Sequence, residues 1–229
     1  MKKITFASIA FVFLVFYACD TPSPEENAVN APIENTTTTK QETVENDKKT
    51  IVFFGNSLSA AYGIEATQGF VGLTAQRIDS LGLPYEIVNA GLSGETTAGG
   101  KTRIEWILRQ PVDIFILELG GNDAVRGIDP EDSYKNLKFI VEKVKEKYPS
   151  AKIVLAGMEA PPNLGPEFTS KFRQMYPKLA KEYNASLIPF LLDGVGGIPE
   201  LNLPDGIHPT PEGHQIVAKN VWAVLENLL

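Results

Sequence analysis

The sequence predicts an α/β protein, a three-layer α/β/α sandwich built on a five-stranded parallel sheet. Five short runs of strand-forming residues recur between residues 50 and 229, and a segment with helical periodicity separates each run from the next. The runs are almost wholly apolar, which is typical of strands that helices cover on both faces. A chain of 229 residues is long enough to bury one core of this kind.

Three strands and two helices are predicted in the first half of this domain. The runs at 51–54 and 85–89 are rich in strand formers, and the first of them stops at a glycine. The run DIFILEL at 113–119 is the clearest strand, because five of its seven residues are large and apolar. Helices are predicted at 68–81 and 97–109 from apolar residues at helical spacing. These positions are Phe70, Leu73, Ile78, Ile104, Ile107 and Leu108.

The second half is predicted to contain three helices and two strands. The helices span 133–148, 166–183 and 211–228, and the strands span 152–156 and 186–190. The first of these helices is amphipathic, with Leu137, Ile140, Val141 and Val144 on one face. The second contains Pro177, which is expected to kink or interrupt it because proline lacks a backbone N–H.

The first 49 residues are expected to lie outside the folded domain, which we place at 50–229. Lys2 and Lys3 precede an apolar stretch at 4–17, and the small residue Ala18 follows it. This pattern predicts a secretory signal peptide over residues 1–18. The apolar stretch is shorter than the roughly 20 residues that a membrane-spanning helix needs.

The only cysteine in the chain, Cys19, follows this signal directly. The segment FYAC at 16–19 resembles a bacterial lipobox, with Phe16 where leucine is usual. An ordinary signal peptide with an incidental cysteine is the alternative, but a lone thiol in an exported protein would then lack a purpose. We therefore expect a lipoprotein anchored through Cys19 in a membrane of the cell envelope, on the periplasmic side or in the outer membrane. The acidic, polar remainder of 19–49 is expected to be a disordered tether.

The composition argues against several classes of protein. A formal charge of −7 without a basic cluster disfavours a nucleic-acid-binding protein. A nucleotide-binding domain would need a GxGxxG loop after the first strand, where this chain has GNSLSA. Two histidines and one cysteine are too few for an obvious zinc site, so no metal or cofactor is expected. We expect the domain to be a monomer.

Polar or glycine-rich segments follow each of the first three predicted strands, and another lies in the long loop after the fifth. Ser57 comes after the first strand, Gly94 after the second and Asn122 after the third, while Asp205 and His208 lie beyond the fifth. The carboxyl ends of parallel strands meet at one edge of the sheet, where the active sites of such folds lie. We therefore expect these residues to form one site.

The residue types at this edge fit nucleophilic catalysis. Ser57 could attack if His208 accepts its proton and Asp205, three residues earlier, orients the imidazole. Backbone N–H groups of Ser57 and Gly94 and the side-chain amide of Asn122 are candidate oxyanion donors. Each residue also has a structural alternative, since serine often caps a helix, an Asp–His pair can stabilise a loop, and Gly and Asn favour turns. His214, in the last predicted helix, is interpreted as a helix-surface or packing residue.

Four segments together resemble a known family. They are GNSLS at 55–59, Gly94, GGND at 120–123 and DGIH at 205–208, and they resemble the four conserved blocks of the SGNH, or GDSL, hydrolases. The resemblance runs from about residue 50 to the end of the chain. It is strongest to the bacterial branch of arylesterases, acyl-thioesterases and lysophospholipases. In one departure, Asn56 stands where the family motif has aspartate, which is not a catalytic group in that pattern.

This resemblance implies a flavodoxin-like fold and a serine hydrolase. Ser57 would be the nucleophile and an oxyanion donor, Gly94 and Asn122 the other donors, His208 the base and Asp205 its partner. The expected reaction is hydrolysis of small aryl or acyl esters, thioesters or lysophospholipids through an acyl-enzyme. A carbohydrate O-acetylesterase is the alternative enzyme, and a non-catalytic lipoprotein that binds acyl or glycan ligands is the alternative from another class.

The pocket for the acyl chain is expected between two loops. The loops at 124–130 and 158–165 follow the third and fourth strands, and the second contributes Met158, Pro161, Pro162 and Leu164. These side chains would give an apolar wall, which suits an acyl chain better than a sugar. The alternative is that the prolines only stiffen a loop.

Overall fold

The computed structural model describes residues 48–229. The predicted signal peptide at 1–18, Cys19 and nearly all of the predicted tether lie outside the described residues. Within the described part of the chain, no helix combines the length and the apolar content needed to cross a membrane.

Five parallel strands form one sheet, as the sequence predicts. The strands are β1 (Lys49–Gly55), β2 (Tyr85–Gly91), β3 (Ile114–Glu118), β4 (Lys152–Ala156) and β5 (Ser186–Ile188). Their spatial order is β2-β1-β3-β4-β5. The chain therefore adds β2 on one side of β1 and then crosses to add β3 on the other side. This reversal opens a crevice at the carboxyl ends of β1 and β3, the usual place for a ligand in such sheets.

Within residues 48–229, six α-helices connect and cover the strands. They are α1 (Phe70–Ser80), α2 (Thr97–Ile107), α3 (Gly121–Val125), α4 (Pro130–Lys147), α5 (Pro166–Tyr183) and α6 (Pro211–Leu225). The short helix α3 is an addition to the predicted elements. Of the two effects expected of Pro177, a kink or an interruption, the interruption is wrong, since α5 runs through Pro177 as one helix.

The ends of the helices carry the sequence signals that favour helix initiation. Asp129 and Thr210 cap α4 and α6 by accepting hydrogen bonds from backbone N–H groups, and each is followed by a proline at the first helical position. Thr96 caps α2 in the same way, with its hydroxyl oxygen 3.2 Å from the nitrogen of Gly99. Each cap fixes the residue at which the preceding loop ends and its helix begins.

The helices form two layers, one on each face of the sheet. Helices α1 and α6 pack together in one layer, while α2, α4 and α5 pack side by side in the other. Neighbouring residues of β1 face opposite layers, as the pleat of a strand requires. Phe53 packs edge-on against Phe70 of α1, whereas Phe54 lies under Gly100 of α2, where an added Cβ would come within 3.1 Å of the Phe54 ring.

Candidate active site

Ser57 lies in a tight turn directly after β1, an inner strand that pairs with both β2 and β3. The turn is closed by hydrogen bonds from the backbone nitrogen of Ala60 to the oxygen of Asn56 and from that of Tyr62 to the oxygen of Ser57, both 3.0 Å long. No α-helix starts here, because α1 begins only at Phe70. The helix-cap alternative for Ser57 is therefore not supported, and its hydroxyl is free for another role.

The structure brings Ser57, His208 and Asp205 together, although Ser57 and His208 are 151 residues apart in the chain. The Ser57 hydroxyl donates to Nε2 of His208 over 2.9 Å. The opposite ring nitrogen, Nδ1, donates to Oδ2 of Asp205 over 2.7 Å. This chain of two hydrogen bonds holds the imidazole in the tautomer whose Nε2 can accept a proton from serine.

Asp205 is an anion held by its own loop. Its Oδ1 accepts hydrogen bonds from the backbone nitrogens of His208 at 3.0 Å and Ile207 at 2.9 Å. These bonds, together with the one from the His208 ring, lower the pKa of Asp205 to about 2, and the backbone bond from His208 contributes most. The carboxylate consequently stays ionised at any pH at which the protein would work.

The candidate oxyanion donors follow β1, β2 and β3, two of them in loops and Asn122 in the short helix α3. The backbone N–H groups of Ser57 and Gly94 donate to no acceptor within residues 48–229. The Asn122 side-chain amide uses one hydrogen in a 3.0 Å bond to the carbonyl of Glu95, which leaves its second hydrogen available. Gly94 has a φ of +80°, in the left-handed region that glycine adopts without strain.

Asn56 retains the hydrogen-bonding capacity of the acid that it replaces. Its Oδ1 accepts a 3.0 Å bond from the backbone nitrogen of Leu58 and lies 3.4 Å from the Ser57 hydroxyl. A carbonyl oxygen of an amide accepts these bonds as a carboxylate oxygen would, without adding a second negative charge beside the nucleophile. The departure from the family motif therefore leaves the turn intact.

Several charged residues that support the site were missed by sequence reasoning. Glu95 is buried and forms an ion pair with Arg103 of α2. Arg103 also donates to the carbonyl of Ala90 over 2.8 Å and stacks on the Phe54 ring at 4.1 Å. The pair thus ties the loop that carries Gly94 to the end of β2 and to helix α2. Glutamate and arginine eight residues apart across a loop give no recognisable signal in the sequence.

The aromatic ring of Tyr62 is a second unpredicted neighbour of the site. Its centroid lies 4.6 Å from that of the His208 imidazole, with the planes inclined at 41°. The preceding residue, Ala61, has a φ of +56°, which an L-residue other than glycine, asparagine or aspartate rarely adopts. This strained backbone turns the chain so that Tyr62 covers one face of His208.

His214 is a packing residue and takes no part in the triad. Only 1% of its surface is exposed, so the packing alternative is correct and the helix-surface alternative is wrong. Its Nδ1 accepts a 3.1 Å bond from the backbone nitrogen of Phe70, and its ring stacks on the Phe70 ring. Burial, with a smaller contribution from the charge of His208, lowers the pKa of His214 to about 4.

A cavity of about 530 Å³ opens beside Ser57 and His208. Its wall is mainly apolar and includes Leu58, Val125, Met158, Phe190, Leu192 and Ile207. Met158, Pro161 and Pro162 line it as predicted, whereas Leu164 does not. The residues after β5, Phe190 and Leu192, were not predicted. Within residues 48–229, no group of three or more His, Cys, Asp or Glu side chains is placed to hold a metal ion.

Comparison with known proteins places this arrangement in a family. Residues 53–216 match the model of the GDSL-like lipase/acylhydrolase family. The chain is 37% identical over 182 residues to the esterase TesA of Pseudomonas aeruginosa, which covers 79% of this chain and 90% of that protein. It is 33% identical over 172 residues to an arylesterase of Vibrio mimicus, covering 75% of this chain and 85% of that one.

Two further comparisons agree with these. The chain is 34% identical over 170 residues to thioesterase 1/protease 1/lysophospholipase L1 of Escherichia coli K12, covering 74% of this chain and 79% of the relative. The crystal structure of a TesA superimposes with a TM-score of 0.75 at 38% identity, over 79% of this chain and all of that one.

Proposed function

The chain belongs to the GDSL-like lipase/acylhydrolase family and is an ester hydrolase, and from this premise we propose that Ser57, His208 and Asp205 carry out its reaction. The observation that carries the proposal is the 2.9 Å hydrogen bond from the Ser57 hydroxyl to Nε2 of His208 at the mouth of an apolar cavity. A nucleophile, a base and an orienting carboxylate in contact are the arrangement that acyl transfer requires.

The first half of the proposed reaction forms an acyl-enzyme. Ser57 Oγ attacks the carbonyl carbon of the ester while Nε2 of His208 takes its proton. The imidazolium that forms is stabilised by the Asp205 carboxylate, which the loop keeps ionised. The tetrahedral intermediate then collapses, the bond to the leaving oxygen or sulfur breaks, and His208 returns the proton to the leaving group.

The developing negative oxygen is met by three donors in this proposal. They are the free N–H groups of Ser57 and Gly94 and the second amide hydrogen of Asn122. Fixed donors of this kind stabilise charge that exists only in the transition state, so they raise kcat. In the second half, water attacks the acyl-enzyme with His208 as base again, which releases the acid and regenerates Ser57.

The substrate is proposed to be a small-molecule ester or thioester whose acyl chain occupies the apolar cavity. Leu58, Met158 and Phe190 offer such a chain apolar surface, and removing each CH₂ group from water contributes about 0.8 kcal/mol. Relatives named arylesterase and thioesterase/lysophospholipase support aryl esters, acyl thioesters and lysophospholipids as candidate substrates.

The place of action is proposed to be the cell envelope, with the domain held at a membrane by a lipid on Cys19 and acting as a monomer. The support for export and anchoring is the sequence of the first 49 residues alone, in which a charged start, an apolar stretch and a lipobox-like FYAC occur in order. A diacylated cysteine gives stable anchoring where one acyl chain does not.

The function is tested with p-nitrophenyl esters of increasing acyl length and a fluorophosphonate that labels reactive serines. Wild type is expected to hydrolyse the esters, with kcat/KM rising from acetate to medium chains, and to be labelled at Ser57. Ser57→Ala is expected to lower kcat by at least about 10⁴-fold. The matched control is Ser80→Ala on exposed helix surface, which should behave as wild type. Retention of a tenth of kcat by Ser57→Ala, or a preference for acetylated xylan over every acyl ester, would overturn the proposal.

A further inference from the structure

Glu118 is a carboxylic acid buried at the end of an apolar strand. It is the last residue of β3, none of its surface is exposed, and the four strand residues before it are all buried and apolar. Among residues 48–229 it pairs with no lysine, arginine or histidine. Burial raises its pKa to about 7. Burying an acid without a cation is costly, so a position of this kind is a candidate for a functional role.

One oxygen of Glu118 holds the turn that contains Ser57. Oε2 accepts hydrogen bonds from the backbone nitrogen of Asn56 at 3.0 Å, from the Ser59 hydroxyl at 2.8 Å and from the Ser59 backbone nitrogen at 3.3 Å. These donors lie on either side of Ser57 in the chain. The other oxygen, Oε1, is enclosed and has no partner within the described part of the chain. The contacts of this acid are therefore directed at the turn alone.

The backbone is shaped to admit this carboxyl. Glu118 is in register with Gly55, the last residue of β1. A Cβ on Gly55 would lie 2.4 Å from Oε2 and 2.2 Å from the Ser59 hydroxyl oxygen. Both distances are far shorter than any non-bonded contact, so only glycine at position 55 lets the acid reach the turn.

We propose that Glu118 is a positioning residue for the esterase reaction, which fixes residues 56–59 so that Ser57 keeps its hydroxyl toward His208 and its N–H toward the substrate. The inference rests on the proposed function of Ser57. The backbone N–H groups of Asn56 and Ser59 both point to Oε2, whereas that of Ser57 has no acceptor. The three bonds thereby orient the peptide group of Ser57, whose N–H the turn leaves for the oxyanion.

The consequence is a selective effect on turnover. A nucleophile and a donor that are displaced by about 1 Å can lose roughly 10²-fold in rate, while binding of the acyl chain in the cavity is unaffected. A residue that only stabilised the fold would lower the amount of active enzyme, with no change in the kcat of the folded fraction. The ratio of the effects on kcat and KM, measured on folded protein, separates the two roles.

The test uses the full chain with Glu118→Met, Glu118→Gln and Ser59→Ala, and Thr50→Val as the matched control. Thr50 is a buried polar residue at the other end of β1, where its hydroxyl donates to Glu86. For each variant we would measure kcat and KM on p-nitrophenyl butyrate, the rate of fluorophosphonate labelling of Ser57, and the folded fraction by circular dichroism.

Glu118→Met is expected to lower kcat and the labelling rate by about 10²-fold with KM nearly unchanged. Glu118→Gln, which keeps an acceptor oxygen, should recover activity to within about tenfold of wild type. If Glu118→Met does not fold, Ser59→Ala, which removes one bond of three, should lower kcat several-fold while Thr50→Val does not.

Two results would overturn the inference. One is that Glu118→Met has the same kcat as the control Thr50→Val. If Glu118→Met does not fold, the corresponding result is that Ser59→Ala has the same kcat as Thr50→Val. The other is a Glu118→Gln enzyme no more active than Glu118→Met. A wild-type enzyme that neither hydrolyses esters nor is labelled at Ser57 would instead contradict the function proposed above, so the two failures are distinguishable.

Discussion

Two histidines of this chain lie in contrasting surroundings. His208 is at the mouth of the cavity with a partner on each ring nitrogen, whereas His214 is buried against Phe70 with only Nδ1 bonded. The neutral form of His214 fits its site, because Nδ1 must accept a hydrogen bond there. Protonation would remove that acceptor and place a charge in the core.

The protonation of His214 predicts a dependence of stability on pH. Its pKa falls from an ordinary 6.5 to about 4 in the folded protein, so the stabilisation is complete above pH 6.5 and is lost as the pH falls toward 4. In that interval the unfolded chain binds the proton first. Denaturant unfolding of His214→Gln, whose amide oxygen can accept the same bond, should show a pH slope about 1.4 kcal/mol per unit shallower than wild type. Equal slopes would show that His214 is not the titrating group.

Single residues differ in how far the sequence reveals them. The contact of Ser57, Asp205 and His208 could be predicted because a candidate nucleophile, acid and base are chemically distinctive and their spacing matches a family pattern. Glu118 could not, although a glutamate inside IFILEL is unusual, because the sequence does not show which donors a buried acid will meet. Tyr62 depends on a strained backbone at Ala61, which no propensity predicts.

Three helices at the carboxyl edge of the sheet are joined by one buried acid. Asp123 of α3 accepts hydrogen bonds from the backbone nitrogen and hydroxyl of Thr97 in α2, at 2.9 and 2.5 Å. It also accepts one from the hydroxyl of Ser133 in α4, at 3.1 Å. Because Asn122 is its neighbour in α3, the same acid determines where the proposed oxyanion amide lies.

Asp123→Ala is expected to loosen this junction. Three buried donors would lose their acceptor, so unfolding free energy should fall by about 3 kcal/mol, and kcat should fall by at least about tenfold as α3 shifts. Ser133→Ala removes only one bond and serves as the control, with an expected loss of about 1 kcal/mol. Denaturant unfolding and ester kinetics measure both effects. If Asp123→Ala keeps the wild-type kcat, the position of α3 does not affect catalysis.

The predicted elements agree with the structure where burial and periodicity are strong. All five strands and the five long helices were predicted, and their ends differ by a few residues. Helix α3 was missed because five residues show no helical period, and it begins after Gly120, whose φ is +120°. Pro177 was expected to kink or interrupt α5. The helix continues through it, because packing of Phe172, Met175, Tyr176 and Leu179 in the core outweighs the loss of one backbone hydrogen bond.

At the scale of the molecule, the site is assembled from loops that follow β1, β2, β3 and β5. The predicted parallel sheet indicated that these loops would lie close together, because the carboxyl ends of its strands share one edge. It could not predict that Phe190 and Leu192 complete the cavity wall, since this depends on how the long loop after β5 folds back. The cavity wall therefore depends on the tertiary fold. The four apolar side chains that were predicted for it all lie in the single loop at 158–165.

The predicted attachment of the molecule to a membrane is tested through Cys19. Cells that express the full chain and are fed a radioactive fatty acid should incorporate label into wild type and lose it in Cys19→Ser, because the thiol is the proposed site of acylation. Fractionation should then find wild type with membranes and Cys19→Ser in the soluble envelope fraction. An unlabelled wild-type protein would leave an ordinary signal peptide as the explanation of the first 18 residues.

The hydrogen bond between Ser57 and His208 also bears on when activity arises during biogenesis. The two residues are 151 positions apart, and the second follows every strand of the sheet. Contacts of such long sequence separation close late in folding, since the intervening chain must first lose its freedom. A chain that has not yet folded through its last helix is consequently expected to be inert toward esters, and hydrolytic competence begins only when the whole domain has formed.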